Sequence, residues 1–107
     1  MTYRTLRVHA GVYEDLDAIS KYLAEEAPDK IADFKRTYRG LRSKIRQRPL
    51  SRRILFASYR RAVMAPEFPH HMIIYTVNET TVDILAVLST YRDPEFIEQS
   101  VLGRDGT

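Results

Sequence analysis

The chain has 107 residues, a net charge of +3 and no cysteine, with 44% hydrophobic and 29% charged residues. That composition excludes a disordered chain, and the missing thiols exclude disulfides, cysteine-bound zinc and thiol nucleophiles. The longest apolar runs, Met72–Tyr75 and Ile84–Leu88, fall far short of the ~20 residues of a membrane helix, and residues 1–8 hold no apolar signal segment. A single cytoplasmic domain over residues 1–107, with no membrane contact, is therefore expected.

In chain order, Thr5 to His9 reads as a first strand, Leu6 and Val8 alternating with Arg7 and His9. Ala10 and Gly11 lead into a helix whose seam is Val12, Leu16, Ile19 and Leu23, with Tyr22 beside it. Glu14, Asp15 and Asp17 fall early in that helix, where the positive end of its dipole favours them. Pro28 interrupts the pattern and fits the first turn of a second helix. There Ile31, Phe34, Tyr38, Leu41 and Ile45 repeat at spacings of three and four, up to a stop at Pro49. Two helices on a short link make an antiparallel hairpin.

The period then changes. Ile54 to Phe56 is a short extended piece and Tyr59 to Met64 a strand; residues 65–69, with two prolines, turn the chain. His71 to Val77 and Val82 to Leu88 follow as strands; the second is apolar on both faces except at Asp83 and is expected at the centre of the sheet. Pro94 opens a short C-terminal helix, and residues 103–107 are expected to fray. The class is thus α+β, in the order βααβββ, with the helix hairpin packed on a small antiparallel sheet and the first strand paired with the last. The expected core is Ile19, Phe34, Tyr38, Leu41, Ile74, Ile84, Ala86 and Leu88.

Charge is unevenly placed. No acid lies between Asp33 and Glu67, an interval that carries Arg39, Arg42 and Arg46 on the second helix and Arg60 and Arg61 on a strand. A one-sign field of this kind attracts a polyanion or an acidic protein segment. Arg60 and Arg61 are consecutive on a strand, so they should point to opposite faces. Two readings stay open for them: contact with a partner, or an ion pair across the sheet with Asp83 or Asp93. Arg92 beside Asp93 reads either as a ligand contact or as a pair that steadies the turn.

The words Glu14-Asp15-Leu16-Asp17-Ala18-Ile19, Arg48-Pro49, Tyr59-Arg60-Arg61-Ala62-Val63, Phe68-Pro69-His70-His71-Met72-Ile73-Ile74-Tyr75 and Val82-Asp83-Ile84-Leu85-Ala86-Val87-Leu88, the last running to Tyr91-Arg92-Asp93-Pro94, occur in this order and spacing. Together they resemble the ParE/RelE toxin superfamily over a core of about residues 5–96. The resemblance implies the toxin of a type II toxin–antitoxin pair, silenced by a cognate antitoxin in a hetero-oligomer. The ParE branch is taken to act on DNA gyrase and the RelE branch to cut mRNA on the ribosome.

Cutting RNA through its 2′-hydroxyl needs a base, an acid and cations on the phosphate. Where RelE-like chains carry an arginine before the tyrosine of the middle strand, this chain has Met72; where many carry histidine after the last strand, it has Ser89. The remaining catalytic candidates are His71, Arg61, Arg92 and Tyr91. His70 and His71 alternate across the strand, so at most one faces a given cleft. No metal-ligand spacing and no phosphate loop occurs, so no cofactor is expected. The ParE-like reading, a gyrase-binding toxin rather than an enzyme, is favoured; the alternative is a RelE-like ribosome-dependent endoribonuclease. The residues expected to meet the target or an acidic, partly disordered antitoxin segment are Arg60, Arg61, Arg92, Arg39, Arg42 and Arg46.

Overall fold

The computed structural model describes residues 4–106. Strand β1 (Thr5–Val8) leads into helix α1 (Ala10–Glu26), a 3₁₀ turn (Pro28–Lys30) and helix α2 (Ile31–Gln47). Strands β2 (Ile54–Phe56), β3 (Tyr59–Met64), β4 (Phe68–Val77) and β5 (Thr81–Ser89) follow, then helix α3 (Pro94–Arg104). Pro28 opens the 3₁₀ turn rather than α2 itself. The α+β class, the helix hairpin and the C-terminal helix are those expected from the sequence.

The five strands form one sheet in the order β1-β5-β4-β3-β2. The sheet is mixed, not wholly antiparallel, because β1 runs parallel to β5 with Arg7 opposite Asp83. No turn joins these two strands, so nothing local in the chain fixes their direction. The pairing is made instead by the ladder from Thr5 to Val8 along Thr81 to Ile84, extended by the His9 N–H donating to the Ile84 carbonyl at 2.9 Å, with the Arg7–Asp83 contact of 2.8 Å across it. β5 is an interior strand, as its apolar run requires, but the central position belongs to β4.

Each face of the sheet has its own apolar cluster. Under the hairpin, Val12, Phe34, Tyr38, Leu41 and Ile45 meet Ala62, Ile73, Tyr75, Val82, Ile84 and Val87. On the other face, Ile97 and Val101 of α3 close over Tyr59, Met72, Ile74, Leu85, Ala86 and Leu88. Of the expected core, Ile19 alone is only partly buried, at the edge of the first cluster. Large side chains such as Phe34, Ile45 and Ile84 are almost wholly withdrawn from water, each stabilising the fold by about 1.5–3 kcal/mol.

A bulge in β5 decides how the two faces are filled. Ala86 pairs with Ile74 and Ile84 with Tyr75, which leaves Leu85 without a partner on β4. Leu85 and Ala86 therefore both lie on the α3 face, and Val87 returns to the hairpin face. Beyond Ile84, β1 no longer covers the edge of β5. Side chains take its place: Arg104 donates to the Leu85 carbonyl at 2.9 Å and Asp15 accepts the Val87 N–H at 3.0 Å. Asp15 and Arg104 also grip one another in a two-pronged pair, Nη1 to Oδ2 at 2.6 Å and Nη2 to Oδ1 at 2.9 Å.

This pair corrects one expectation. Asp15 turns towards the sheet edge and does not serve the helix dipole; no acid lies in the first turn of α1, where His9 Nδ1 accepts the Gly11 N–H at 2.9 Å. At the C-terminal end, Gly103 and Arg104 complete α3, and Asp105 accepts a 2.6 Å hydrogen bond from the Tyr59 hydroxyl. Thr107 lies outside the described residues. Gly11 sits inside α1 because the Arg104 guanidinium lies against it; a Cβ there would come within 2.7 Å of both Cζ and Nε.

Asp15→Asn leaves a largely buried guanidinium without its counter-charge and is expected to cost about 3 kcal/mol in urea unfolding. Gly11→Ala is expected to cost about 1–3 kcal/mol, against a helix-propensity gain of at most ~1 kcal/mol. In an Arg104→Met background, most of the Gly11→Ala penalty should disappear. An unchanged penalty there would show that the guanidinium is not what Gly11 accommodates.

Candidate functional site

Alternation along β3 and β4 sorts the candidate residues between the two faces. Arg61 stands opposite Ile74 and shares the α3 face; Arg60 stands opposite Tyr75 and shares the hairpin face. Neither reaches Asp83 or Asp93. The partners of Asp83 are Arg7 at 2.8 Å and Asn78 at 3.0 Å. Asp93 caps α3 by accepting the Glu95 N–H at 2.9 Å and forms no pair with Arg92.

Arg60 has a structural task. Its Nη1 donates to the Arg52 carbonyl at 2.6 Å and lies 3.4 Å from that of Leu50, tying the loop after α2 to β3. Beside it, the buried Tyr75 hydroxyl donates to the Pro49 carbonyl at 2.7 Å, and burial pushes its pKa up. The tyrosine of the middle strand is thus committed to holding the end of α2.

Arg61 and Arg92 meet in a cleft of about 190 Å³ beside α3. Its wall is apolar: Leu55, Phe56, Met72, Pro94 and Ile97, with Glu98 at one side. Met72, 2% exposed, forms part of the wall where a phosphate clamp would need a cation. The Arg92 guanidinium carbon lies 4.6 Å from the Phe96 ring centroid, a cation–π contact that steadies an exposed arginine.

Arg92 also borders a wider groove of about 560 Å³, walled by Ala18, Ile19 and Tyr22 of α1 and by Val87 and Leu88, with His70, His71, Ser89 and Tyr91 around it. Tyr91, 76% exposed, lies against the His70 ring with centroids 4.8 Å apart. His71 packs edge-on to Phe34 at 5.5 Å under the hairpin. Burial, and to a lesser degree the neighbouring His70, holds its imidazole below the ordinary pKa, so the neutral form is favoured.

His71 and Arg61 therefore lie on opposite faces of the sheet and do not form one catalytic constellation. Among the described residues, no three His, Asp or Glu side chains gather as a metal site would require. On α2, Arg39 and Arg42 line an apolar groove of about 220 Å³ with Leu16, Phe34, Tyr38 and Lys35. Arg42 lies 5.2 Å from the Tyr38 ring centroid; burial raises the pKa of that tyrosine. Arg46 is exposed further along α2 and does not reach this groove.

Sequence reasoning missed Asp15, although the signal was present. Asp15 lies three residues after Val12 and four before Ile19, so it is a charge on an apolar stripe. Phe56 and Ile97 carried no such mark, because a cleft between β2 and α3 has no local signature.

The α+β domain thus sets His71, Tyr91 and Arg92 around one groove and holds Arg61 on the other side of the sheet from His71. Residues 6–94 match the family described as the ParE toxin of the type II toxin–antitoxin system parDE. The chain is 32% identical over 102 residues to Toxin ParE2 of Mycobacterium tuberculosis strain H37Rv, across 94% of this chain and 95% of that one. Toxin ParE2 of strain CDC 1551 matches to the same extent. The chain belongs to the ParE toxin family of type II toxin–antitoxin systems. Membership implies an antitoxin partner. Among the described residues, no helix is long and apolar enough to cross a membrane.

The depressed pKa of His71 has a consequence for stability. The unfolded chain takes up a proton near pH 6.5, before the folded protein does, so stability falls as pH drops below that value. The melting midpoint should be level above pH 6.5 and should decline between there and the carboxylate range near ~4. His71→Gln should flatten that decline; an equal slope in the variant would assign it to other groups.

Proposed function

We propose that this toxin acts in the cytoplasm by binding DNA gyrase rather than by cutting RNA, and that an acidic antitoxin segment silences it. The observation that carries this reading is that the sheet separates Arg61 from His71, which leaves Arg92 as the one arginine among the described residues lining the groove of His71 and Tyr91. His71 lies under the hairpin against Phe34, Arg61 lies on the opposite face, and Met72 is part of the wall between Arg61 and Ile97. An RNA cleavage site needs its base, acid and phosphate cations around one reacting centre. Binding needs only a shaped surface with fixed charges, and such surfaces are present on both faces.

The antitoxin segment is assigned to the groove between α1 and α2. Leu16 offers it an apolar seat, with the buried Phe34 and Tyr38 at the floor of the groove, and Lys35, Arg39 and Arg42 surround that seat with positive charge. An amphipathic acidic helix matches both features, the apolar face giving affinity and the charges giving steering and orientation.

Purified protein incubated with gyrase and relaxed DNA should block supercoiling, and the same protein should leave mRNA intact on translating ribosomes. Cleaved mRNA together with unaffected gyrase would overturn the proposal in favour of the endoribonuclease reading.

The arginines should divide in parallel. Arg61→Ala and Arg92→Ala should abolish growth arrest while changing stability by no more than about 0.5 kcal/mol. Arg60→Ala should lower stability by about 1.5–3 kcal/mol, because it releases the carbonyl of Arg52. Toxicity in cells, measured beside urea unfolding of each purified variant, checks both halves.

A further inference from the structure

The polar side chains around β1 and the end of α3 are already paired: Arg7 with Asp83, Arg104 with Asp15, and Asp105 with Tyr59. The Arg61–Arg92 cleft differs. Among the described residues, neither guanidinium makes an ion pair or a side-chain hydrogen bond. Arg61 is half-buried on an ordered strand, and the guanidinium of Arg92 is steadied against Phe96. Two positioned cations facing one cleft repel each other, and Glu98 on its wall forms an ion pair with neither; a bound anion would offset that repulsion.

We propose that this cleft is a second anchoring point that receives the carboxylate of an Asp or Glu side chain from a protein partner, with an apolar residue of that partner beside it. The surroundings choose between anions. Leu55, Phe56, Met72 and Ile97 offer contacts to methylene groups and to a neighbouring apolar side chain, which a phosphodiester lacks. Glu98 lines the same cleft and opposes free inorganic phosphate, partly a dianion near neutral pH, more than a single carboxylate; against the singly charged phosphodiester it is the apolar wall that discriminates. The planar forks of Arg61 and Arg92 suit the two oxygens of a carboxylate. This inference rests on the reading that the chain meets protein rather than RNA, and it is independent of whether gyrase is the target.

The test follows the side-chain Nε–H resonances of Arg61 and Arg92 by NMR in the full chain. Four probes are titrated: N-acetyl-glutamate amide, N-acetyl-leucyl-glutamate amide, inorganic phosphate and a single-stranded RNA tetramer. Both resonances should shift together with the leucyl-glutamate probe, which should bind more tightly than the glutamate probe and than phosphate. Arg61→Gln and Arg92→Gln should each weaken it about tenfold by removing one fork, Arg61→Lys should restore only part, and Glu98→Gln should strengthen it. Tighter binding of phosphate or of the RNA would overturn the proposal and make the cleft a nucleic-acid contact. The absence of a shift with every probe would also overturn it. A chain that inhibits gyrase yet fails here loses this inference alone.

Discussion

The pairing of Asp15 with Arg104 is the constraint on which the rest of the molecule depends. β1 covers only part of the edge of β5, and the bulge at Leu85 leaves backbone groups beyond it without a strand. Unpaired strand edges recruit other chains, and buried peptide groups without partners are costly. One carboxylate and one guanidinium satisfy the Val87 N–H and the Leu85 carbonyl and join α1, β5 and α3 at one point. The hydrogen bonds to Asp15 are the chief influence that raises the pKa of Arg104, so its guanidinium stays charged.

That clamp shapes the surface that function uses. With its end held by Asp15 and by Tyr59, α3 stays on the sheet and covers Met72, Ile74, Ala86 and Leu88. The Tyr59 hydroxyl, bonded to Asp105, keeps its proton with a pKa pushed up to about 12. At its other end, α3 begins at the Asp93 cap, which places Pro94, Ile97 and Glu98 along the cleft that holds Arg61 and Arg92. The cleft exists because the helix is pinned; no single strand or loop builds it.

The alternation of β3 divides two adjacent arginines into different roles. Arg60 turns to the loop after α2 and satisfies backbone carbonyls there. Arg61 turns to α3 and makes no side-chain hydrogen bond among the described residues. The same alternation on β4 sends His71 under the hairpin and leaves His70 exposed beside Tyr91. A sheet with an apolar cluster on each face separates groups that lie close together in sequence, as it separates His71 from Arg61.

The amino-acid sequence by itself determined what is written locally. The three-and-four spacing of Phe34, Tyr38, Leu41 and Ile45 fixed the seam of α2, and the apolar run from Val82 to Leu88 fixed an interior strand. Such periodicities record which face meets the core, whatever that core contains. The order of elements and the family resemblance followed from the same local words. The parallel direction of β1, the bulge at Leu85, the place of Gly11 inside α1 and the contacts of Arg104 and Asp105 were decided only in the folded molecule. Each depends on residues far apart in the chain; Asp15 and Arg104 are separated by 89 positions. Such a contact leaves no periodic trace at either end, because its energy arises only once burial has removed the water that would otherwise solvate both charges.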